Sequence, residues 1–527
     1  YWGAYPLNIL TNYGILPNYA FPEEGVKLTS IITGIEVDDG EGGISYAHEV
    51  YEYRRGAATA IKEFAPQNIF YGEGRKVEID LIETGGLENS NIVSWRFCCA
   101  CSHMEEIRPG DEPGSCPKCG SVMWKDNGQR HDIIQLRAVG SKVSHLKSLT
   151  ADEADERDRK TYVVKDFIEM NEDDLVGGYY AEGKVFGYEF VKHCTLTEIN
   201  FGQSDALGQK MLIAGDEIPE VGFTICSDCG IVDKSKDPEK PTQHRRHCRF
   251  YDKPKEVVWK NSYLYRQLQS EAIRILLPVS AFAVPEKLHT FKAALELGFK
   301  KLFKGNPGHL LIKEQAEPLN DEEGAFRQYL VICDTVPGGT GYLKDLVYSG
   351  GLLKAMRYAY DTLKNCSCND DEMLDGCYKC IYAHKHQFQI EKISRNRAIR
   401  MLEDILSYED ELKEITNLST INIYSVLESE LEERFVDALQ EYCLKIDSWK
   451  WEDIAINGKP GGLLTTGQYK WKVEPQVELG DAEGISEATR SDIIFWPDEG
   501  NPGMAIALYL DGYKYHVSPN KDYSAMS

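Results

Sequence analysis

Twelve of the fifteen cysteines in this chain of 527 residues fall into three tight groups, while Cys194, Cys333 and Cys443 stand alone. Cysteines two or three residues apart bring thiolates to one point, where they can share a tetrahedral metal ion. Zinc is the usual occupant of such sites in a reducing compartment, whereas disulfide frameworks belong to small secreted domains. The spacing therefore predicts up to three zinc ions, which are structural because each group supplies four ligands.

The first and third groups consist of cysteine alone. In the first group, Cys99 is a surplus thiol that could take the place of its neighbour, and the glycine after the second C-x2-C pair suits a tight turn. The third group combines a C-x-C pair with a closing C-x2-C pair. The predicted ligands are Cys98, Cys101, Cys116 and Cys119 in the first group, and Cys366, Cys368, Cys377 and Cys380 in the third.

The second group mixes cysteine with histidine. Cys226 and Cys229 form a C-x2-C pair, and Cys248 follows in the sequence HRRHC. His244 is the preferred fourth ligand because residues four apart share one face of a helix, and His247 is the competing ligand.

Basic side chains near the second and third groups could contact phosphate groups. Aromatic residues lie among them, so the pattern suits single-stranded DNA. A solvated surface that offsets neighbouring acidic residues explains the same pattern. The candidate DNA contacts are Arg245, Arg246, Arg249, Lys385, Arg395 and Arg397.

The overall charge limits how this chain can hold nucleic acid. Its formal net charge is −25, so any DNA must bind through a local basic surface and not through the overall field. The sequence lacks a G-x4-G-K-[ST] pattern, which predicts no ATPase motor of its own. Residues 334–341 are Gly-rich, and they form either a sharp turn onto a helix or an anion cradle.

The chain is long enough for several domains, and its composition is that of a globular protein. No apolar run reaches the length of a membrane span, so a cytoplasmic location without membrane contact is expected. Because the sequence does not begin with methionine, we expect that the natural N-terminus is not included in it.

Hydrophobic periodicity predicts the elements that position these groups. Helices are expected over residues 51–64, 263–277, 288–303 and 342–364, and a β-hairpin over 68–82. The fold class is mixed α/β and multidomain, with a β-rich N-terminal half that carries zinc-ribbon-like inserts. The predicted segments are a β-rich region 1–95, a zinc ribbon 96–125, a β-rich region 126–222, a CCHC zinc module 223–262, an α/β zinc domain 263–415 and an α/β unit 423–527.

Several phrases resemble a known family. The sequence DTVPGGTGYL, the helix after it, the third cysteine group and the basic stretch behind that group resemble the MrfA-type zinc-binding domain of DExH-box DNA helicases. Residues 10–22 and 51–68 resemble the segment that follows the motor in those helicases. The resemblance implies structural zinc on the third group. It also implies a DNA helicase as partner, as in the DrmB-type subunits of the DISARM anti-phage system, which pair with the helicase DrmA. The detached C-terminal part of a DNA-repair helicase is the alternative.

Residues 425–516 resemble a restriction-endonuclease-like fold, in which acidic residues hold a metal ion. Asp492, Asp511 and His516 match such a site. Tyr509 occupies the expected glutamate position, and Lys514 is three residues after Asp511 instead of two, so a strand would direct it to the opposite face. The interpretation is a degenerate unit used for contacts, with a metal-dependent nuclease and ordinary core strands as the alternatives.

Overall fold

In a computed structural model, most of the chain between residues 25 and 522 is described. The described residues are 25–38, 44–86, 90–108, 110, 114–150, 160–182, 184, 186–204, 210–219, 221–235, 242–253, 259–277, 285–305, 307–318, 326–371, 373–383, 390–421, 435–436, 438–440, 442–443, 445–446, 448–456, 459–479, 489–498, 501–510, 517–518 and 521–522. The helicase-like phrase at 10–22 lies outside them, and so do residues 151–159, whose sequence is rich in charged residues.

Strands dominate the described part. They are β1 Val26–Asp38, β2 Ile44–Arg55, β3 Ile69–Gly72, β4 Arg75–Glu78, β5 Leu81–Ile82, β6 Ile92–Phe97, β7 Met104–Glu106, β8 Arg130–Gln135, β9 Ala138–Ser144, β10 Tyr162–Met170, β11 Leu175–Ala181, β12 Gly187–Gln203, β13 Lys210–Ile213, β14 Asp216–Pro219, β15 Phe223–Cys226, β16 Trp259–Leu276, β17 Leu310–Pro318, β18 Phe326–Asp334, β19 Leu412–Ile415, β20 Trp449–Ile456, β21 Lys459–Thr466, β22 Tyr469–Leu479, β23 Thr489–Pro497, β24 Ile506–Leu508, β25 Val517–Ser518 and β26 Lys521–Asp522.

Helices are fewer and concentrate in the second half of the chain. They are α1 Ala57–Glu63, α2 His145–Ser148, α3 Pro285–Leu302, α4 Tyr342–Tyr348, α5 Gly351–Lys364 and α6 Arg395–Ser407. The mixed α/β class is therefore confirmed, with strands in the majority. Among the described helices, none is both long and apolar enough to span a membrane.

β16 runs through the middle of an eleven-stranded sheet. Its C-terminal half pairs antiparallel with β12 on one edge and with β18 on the other. Its N-terminal half pairs with β8 and β15. The sheet takes strands from every predicted segment except the C-terminal one, so residues far apart in sequence share one core.

The prediction of a helix over residues 263–277 is wrong, because this segment is the central strand β16. All of its residues from Ser270 to Leu276 are buried, on both faces of the sheet. Apolar residues therefore occur at consecutive positions, and the polar Glu271 and Arg274 between them imitate the polar face of a helix. A strand covered on both faces gives no clean alternation.

A helical layer covers one face of this sheet. α3, α4, α5 and α6 pack onto apolar side chains of β12, β16 and β18, and they form the largest buried cluster of the described residues. The opposite face carries a second cluster that includes Ile168 of β10 and Leu418. The central strands are therefore buried on both faces.

The predicted helix over 342–364 is two helices. Gly350 lies between α4 and α5 with a φ of 68°, in the left-handed region where glycine carries no steric penalty. The predicted helix over 51–64 is likewise only α1, because residues up to Arg55 belong to the strand β2. The helix expected over 288–303 is confirmed by α3, and the hairpin expected over 68–82 by β3 and β4.

A smaller sheet stands at the N-terminal end of the described part. Its strand order is β2–β1–β9–β5, with β1 and β9 parallel. Phe64 and Ile61 of the α1 region pack under it in a core of their own. Residues 51–68 belong to this part of the fold: they contribute the end of β2 and all of α1.

The C-terminal unit contains an antiparallel meander of five strands in the order β20–β21–β22–β23–β24. Leu464, Val473 and Ile493 form its core together with Cys443. The meander includes the strands predicted in this region. Residues 511–516, which include two of the three acidic and histidine candidates, lie outside the described part.

Candidate metal centres

The first centre lies at the end of β6. Cys98 and Cys101 follow this strand, and a loop brings Cys116 and Cys119 over them. The Sγ atoms of Cys98 and Cys119 are 3.5 Å apart, and those of Cys101 and Cys116 are 3.7 Å apart. The indole of Trp124 closes the buried side of the group.

The surplus thiol of the first group is not a member of the cluster. The four sulfur atoms that lie within 4.8 Å of one another exclude Cys99, whose side chain is half-buried beside them. Hydrogen bonds from Cys101 and Cys98 lower the pKa of Cys116 to about 4, while the pKa of Cys101 is raised. Four thiols packed this closely cannot all ionise without a cation among them, which is the condition that a bound metal ion supplies.

The second centre follows β15. Cys226 ends this strand and Cys229 follows three residues later; Gly230 then donates its N–H to the carbonyl of Cys226 at 2.9 Å. A Cβ at Gly230 would lie 1.7 Å from the carbonyl oxygen of Ile82, so only glycine fits the turn.

His244 is the histidine of the second centre. Its Nδ1 lies 3.5 Å from the sulfur atoms of both Cys229 and Cys248, and its ring is buried against Trp259. His247 is exposed and lies outside the group. The i, i+4 argument selected the histidine that lies within the group, although residues 242–251 form no helix here.

The third centre follows α5. Cys366 comes just after the helix, Cys368 lies in the 3-10 turn Ser367–Asp370, and Cys377 and Cys380 return from a loop. The Sγ separations are 3.6 Å between Cys366 and Cys377 and 3.7 Å between Cys368 and Cys380. Cys368 and Cys380 belong to the buried cluster under the helical layer, so this centre is part of the core of the helical layer.

These separations fit zinc. Four thiolates at about 2.3 Å from a central ion in a tetrahedron lie about 3.8 Å from each other, and a sulfur and an imidazole nitrogen lie about 3.6 Å apart. The donor pairs in direct contact are 3.5–3.9 Å apart, close to both values, and all donor atoms of a group lie within 4.8 Å of one another. All fifteen cysteines lie in the described part of the chain, and none forms a disulfide.

Residues 291–381 match the family model of the MrfA Zn-binding domain. The match begins in α3 and ends just after Cys380, so it contains the whole third centre. Zinc is therefore confirmed as the predicted cofactor, with three groups of residues that can bind it.

A crystal structure of the DUF1998 helicase MrfA bound to DNA is similar to this chain, with a TM-score of 0.32 and 8% sequence identity. The alignment covers 73% of this chain and 34% of the helicase chain, so this chain spans about a third of that helicase. No curated protein matches the chain.

Arg395 lies inside the helical layer, beside the third centre, and not at the surface. Its side chain is 4% exposed, and its Nη1 donates to the sulfur of Cys368 at 3.2 Å. Burial raises the pKa of the Cys368 thiol, and this hydrogen bond acts against that rise. A guanidinium used in this way stabilises a metal-bound thiolate, which is a role that the sequence analysis missed.

The other predicted DNA contacts differ in exposure. Arg246 and Arg249 are exposed on the second centre, and Arg245 is half-buried with its guanidinium against Gly140. Arg397 is half-buried in the first turn of α6. Lys385 lies outside the described residues.

The backbone amides of the Gly-rich loop before α4 already bind two carboxylates, one at the start of the loop and one on β16. Asp334 accepts hydrogen bonds from the backbone N–H groups of Val336 and Thr340 at 2.9 and 2.8 Å. Glu271 of β16 accepts those of Gly341 and Leu343 at 2.9 and 3.3 Å. The amides that would cradle a phosphate are therefore occupied by carboxylates, which favours the sharp-turn interpretation of this loop over an anion site.

Asp492 lies in β23 and has a structural partner. Its Oδ2 accepts a hydrogen bond of 2.5 Å from the backbone N–H of Leu510. Tyr509, at the position where a glutamate was expected, is 47% exposed. Asp511 and His516 lie outside the described residues, so the three-residue site remains a prediction.

Proposed function

We propose that this chain is a zinc-stabilised, DNA-binding subunit that associates with a DNA helicase. The match of residues 291–381 to the MrfA Zn-binding domain is the observation that carries the proposal. The protein that gives this domain its name is a helicase, and it has been crystallised bound to DNA.

Zinc supports this role by holding the segments of the helical layer together. The third centre ties the end of α5 to the loop before α6, and two of its thiols are part of the shared core. A zinc ion in such a site contributes directly to folding. Zinc and the apolar core of the helical layer together keep this part of the surface rigid.

We propose further that the setting is anti-phage defence of the DISARM type, with the chain forming a heterodimer with a DrmA-like helicase on single-stranded DNA. The sequence phrases at 51–68 and 334–343 support this, because they resemble the helicase-tail family. In the structure, residues 51–68 form the end of β2, α1 and their connection to β3, so the first phrase is a coherent packed unit.

Co-expression with a DrmA-type helicase tests the proposal. The tagged chain is expected to retain the helicase through purification and to bind labelled oligo-dT in a salt-dependent manner. The double variant Cys366→Ser, Cys377→Ser should lose both properties with one zinc equivalent. Cys99→Ser is the matched control, because this cysteine lies outside the cluster. A zinc-loaded wild-type chain that binds neither helicase nor oligonucleotide would contradict the proposal.

We propose that the C-terminal unit provides contacts and not cleavage. The hydrogen bond from Leu510 to the carboxylate of Asp492 supports this, because it uses one oxygen that a metal ion would need. Plasmid nicking with magnesium or manganese checks it. Equal residual cutting by wild type and Asp492→Ala is expected, and cutting that only the wild type shows would establish a nuclease.

A further inference from the structure

A groove of about 560 Å³ lies between α1, β3 and the start of β10, far in sequence from the three metal centres. Its walls carry the cations Arg55, Lys62 and Lys160 and a single carboxylate, Glu63. In a chain with a net charge of −25, a cavity lined in this way departs from the surrounding field. The volume is within the range of about 300–1,000 Å³ that is usual for ligand sites.

The charges in the groove are unbalanced. Arg55 pairs with Glu63 at 3.1 Å, so the only carboxylate of the lining is already used. Within the described part of the chain, neither Lys62 nor Lys160 forms an ion pair, so both add positive charge to the described wall of the cavity. Two such charges in one concave site attract an anion with more than one charged group.

The groove also offers planar surfaces. The guanidinium of Arg55 lies 5.0 Å from the centre of the Phe70 ring and covers it. The outer face of this guanidinium is partly exposed, since the Arg55 side chain is 43% accessible. The phenol of Tyr71 is half-buried in the same wall. Bases of unpaired strands stack on guanidinium and aromatic planes of this kind.

We propose that this groove binds a single-stranded segment of DNA, with Lys62 and Lys160 contacting successive phosphates and Arg55 stacking against a base. The inference rests on the proposed function, because it names the strand-binding surface of a DNA-binding subunit. It names residues other than the arginines predicted near the second and third metal centres.

The test measures the affinity of the full chain for labelled oligo-dT by fluorescence anisotropy over a range of salt concentrations. Each phosphate contact on a single strand contributes about 0.7 to the slope of log K against log salt. The double variant Lys62→Gln, Lys160→Gln should therefore flatten the slope by about 1.4 and weaken binding about 25-fold at roughly 0.1 M salt.

The double variant Lys300→Gln, Lys301→Gln is the matched control, because these exposed lysines end α3 elsewhere on the surface. Zinc content and thermal unfolding should be the same in both double variants and in the wild type. If both double variants bind like the wild type, the groove proposal is wrong and the proposed function stands. If the wild type binds no single strand at low salt, both fail.

A mononucleotide arm distinguishes the remaining source of phosphate. The wild type is expected to bind thymidine monophosphate much more weakly than the strand, because a mononucleotide supplies one phosphate and one base where the strand supplies several. If the Lys62→Gln, Lys160→Gln variant loses mononucleotide binding but binds the strand as the wild type does, the groove is a nucleotide site and the strand proposal is wrong.

Discussion

Replacing Arg395 with glutamine should loosen the third zinc ion without affecting the other two. The guanidinium is buried and donates a charged hydrogen bond of 3.2 Å to the sulfur of Cys368. Hydrogen bonds to charged groups contribute about 1.5–3 kcal/mol. At about 1.4 kcal/mol for each factor of ten, the loss corresponds to a zinc affinity about 10–100-fold lower at this centre.

A chelator titration that follows zinc release from the full chain measures this effect. In Arg395→Gln, one of the three zinc equivalents should be released at a free chelator concentration about 10–100-fold lower than in the wild type. The other two equivalents should be released at the same chelator concentrations as in the wild type. Arg400→Gln is the control, because this arginine is exposed on the same helix. Unchanged zinc release, together with a loss of oligonucleotide affinity in the zinc-saturated variant, would refute the reasoning and return Arg395 to the DNA contacts.

Three further outcomes are expected. His244→Gln should reduce bound zinc from three equivalents to two, whereas His247→Gln should keep all three, as metal analysis would show. Arg274→Met should lower the free energy of unfolding by about 3–5 kcal/mol in urea, because Arg274 is paired with the fully buried Glu189 at 2.6 Å. Burial raises the pKa of Glu169 to about 7, so the folded wild type holds this proton more tightly than the unfolded chain does. As the pH rises from about 4.5 to 7, the melting temperature of the wild type should therefore fall relative to that of Glu169→Gln. Melting temperatures of the two proteins that change in parallel with pH would contradict this.

The metal ligands could be predicted from the sequence because their chemistry is local. Four donors must surround one ion within a few ångströms, so short spacings such as C-x2-C already define the site. The preference for His244 over His247 also followed from local spacing, because His244 is four residues from Cys248. What spacing could not supply was the environment of the ligands, such as the hydrogen bond from Arg395 to Cys368.

The central strand could not be predicted because its environment is not local. Periodicity identifies a strand when one face is polar, and β16 has neighbours on both edges and packing on both faces. Its buried charges, among them Arg274 and Glu271, then looked like the polar face of a helix. They are instead satisfied by partners distant in sequence, such as Glu189 and the N–H of Gly341.

The Gly-rich loop is a second case in which contacts distant in sequence decide the interpretation. Its glycines and the helix behind them are compatible with a phosphate site, and the sequence left that alternative open. The carboxylate of Glu271, seventy residues away from Gly341, occupies the helix start instead. Only the fold reveals that the loop's amides already have acceptors.

The metal content of the purified chain, together with the oxidation state of its cysteines, tests the central claim most directly. The account predicts about three zinc ions per chain and free thiols in the apo protein, because the sulfur and imidazole donors form three separate groups of four. A chain that folds with no bound metal, or with these sulfur atoms joined in disulfides, would contradict it.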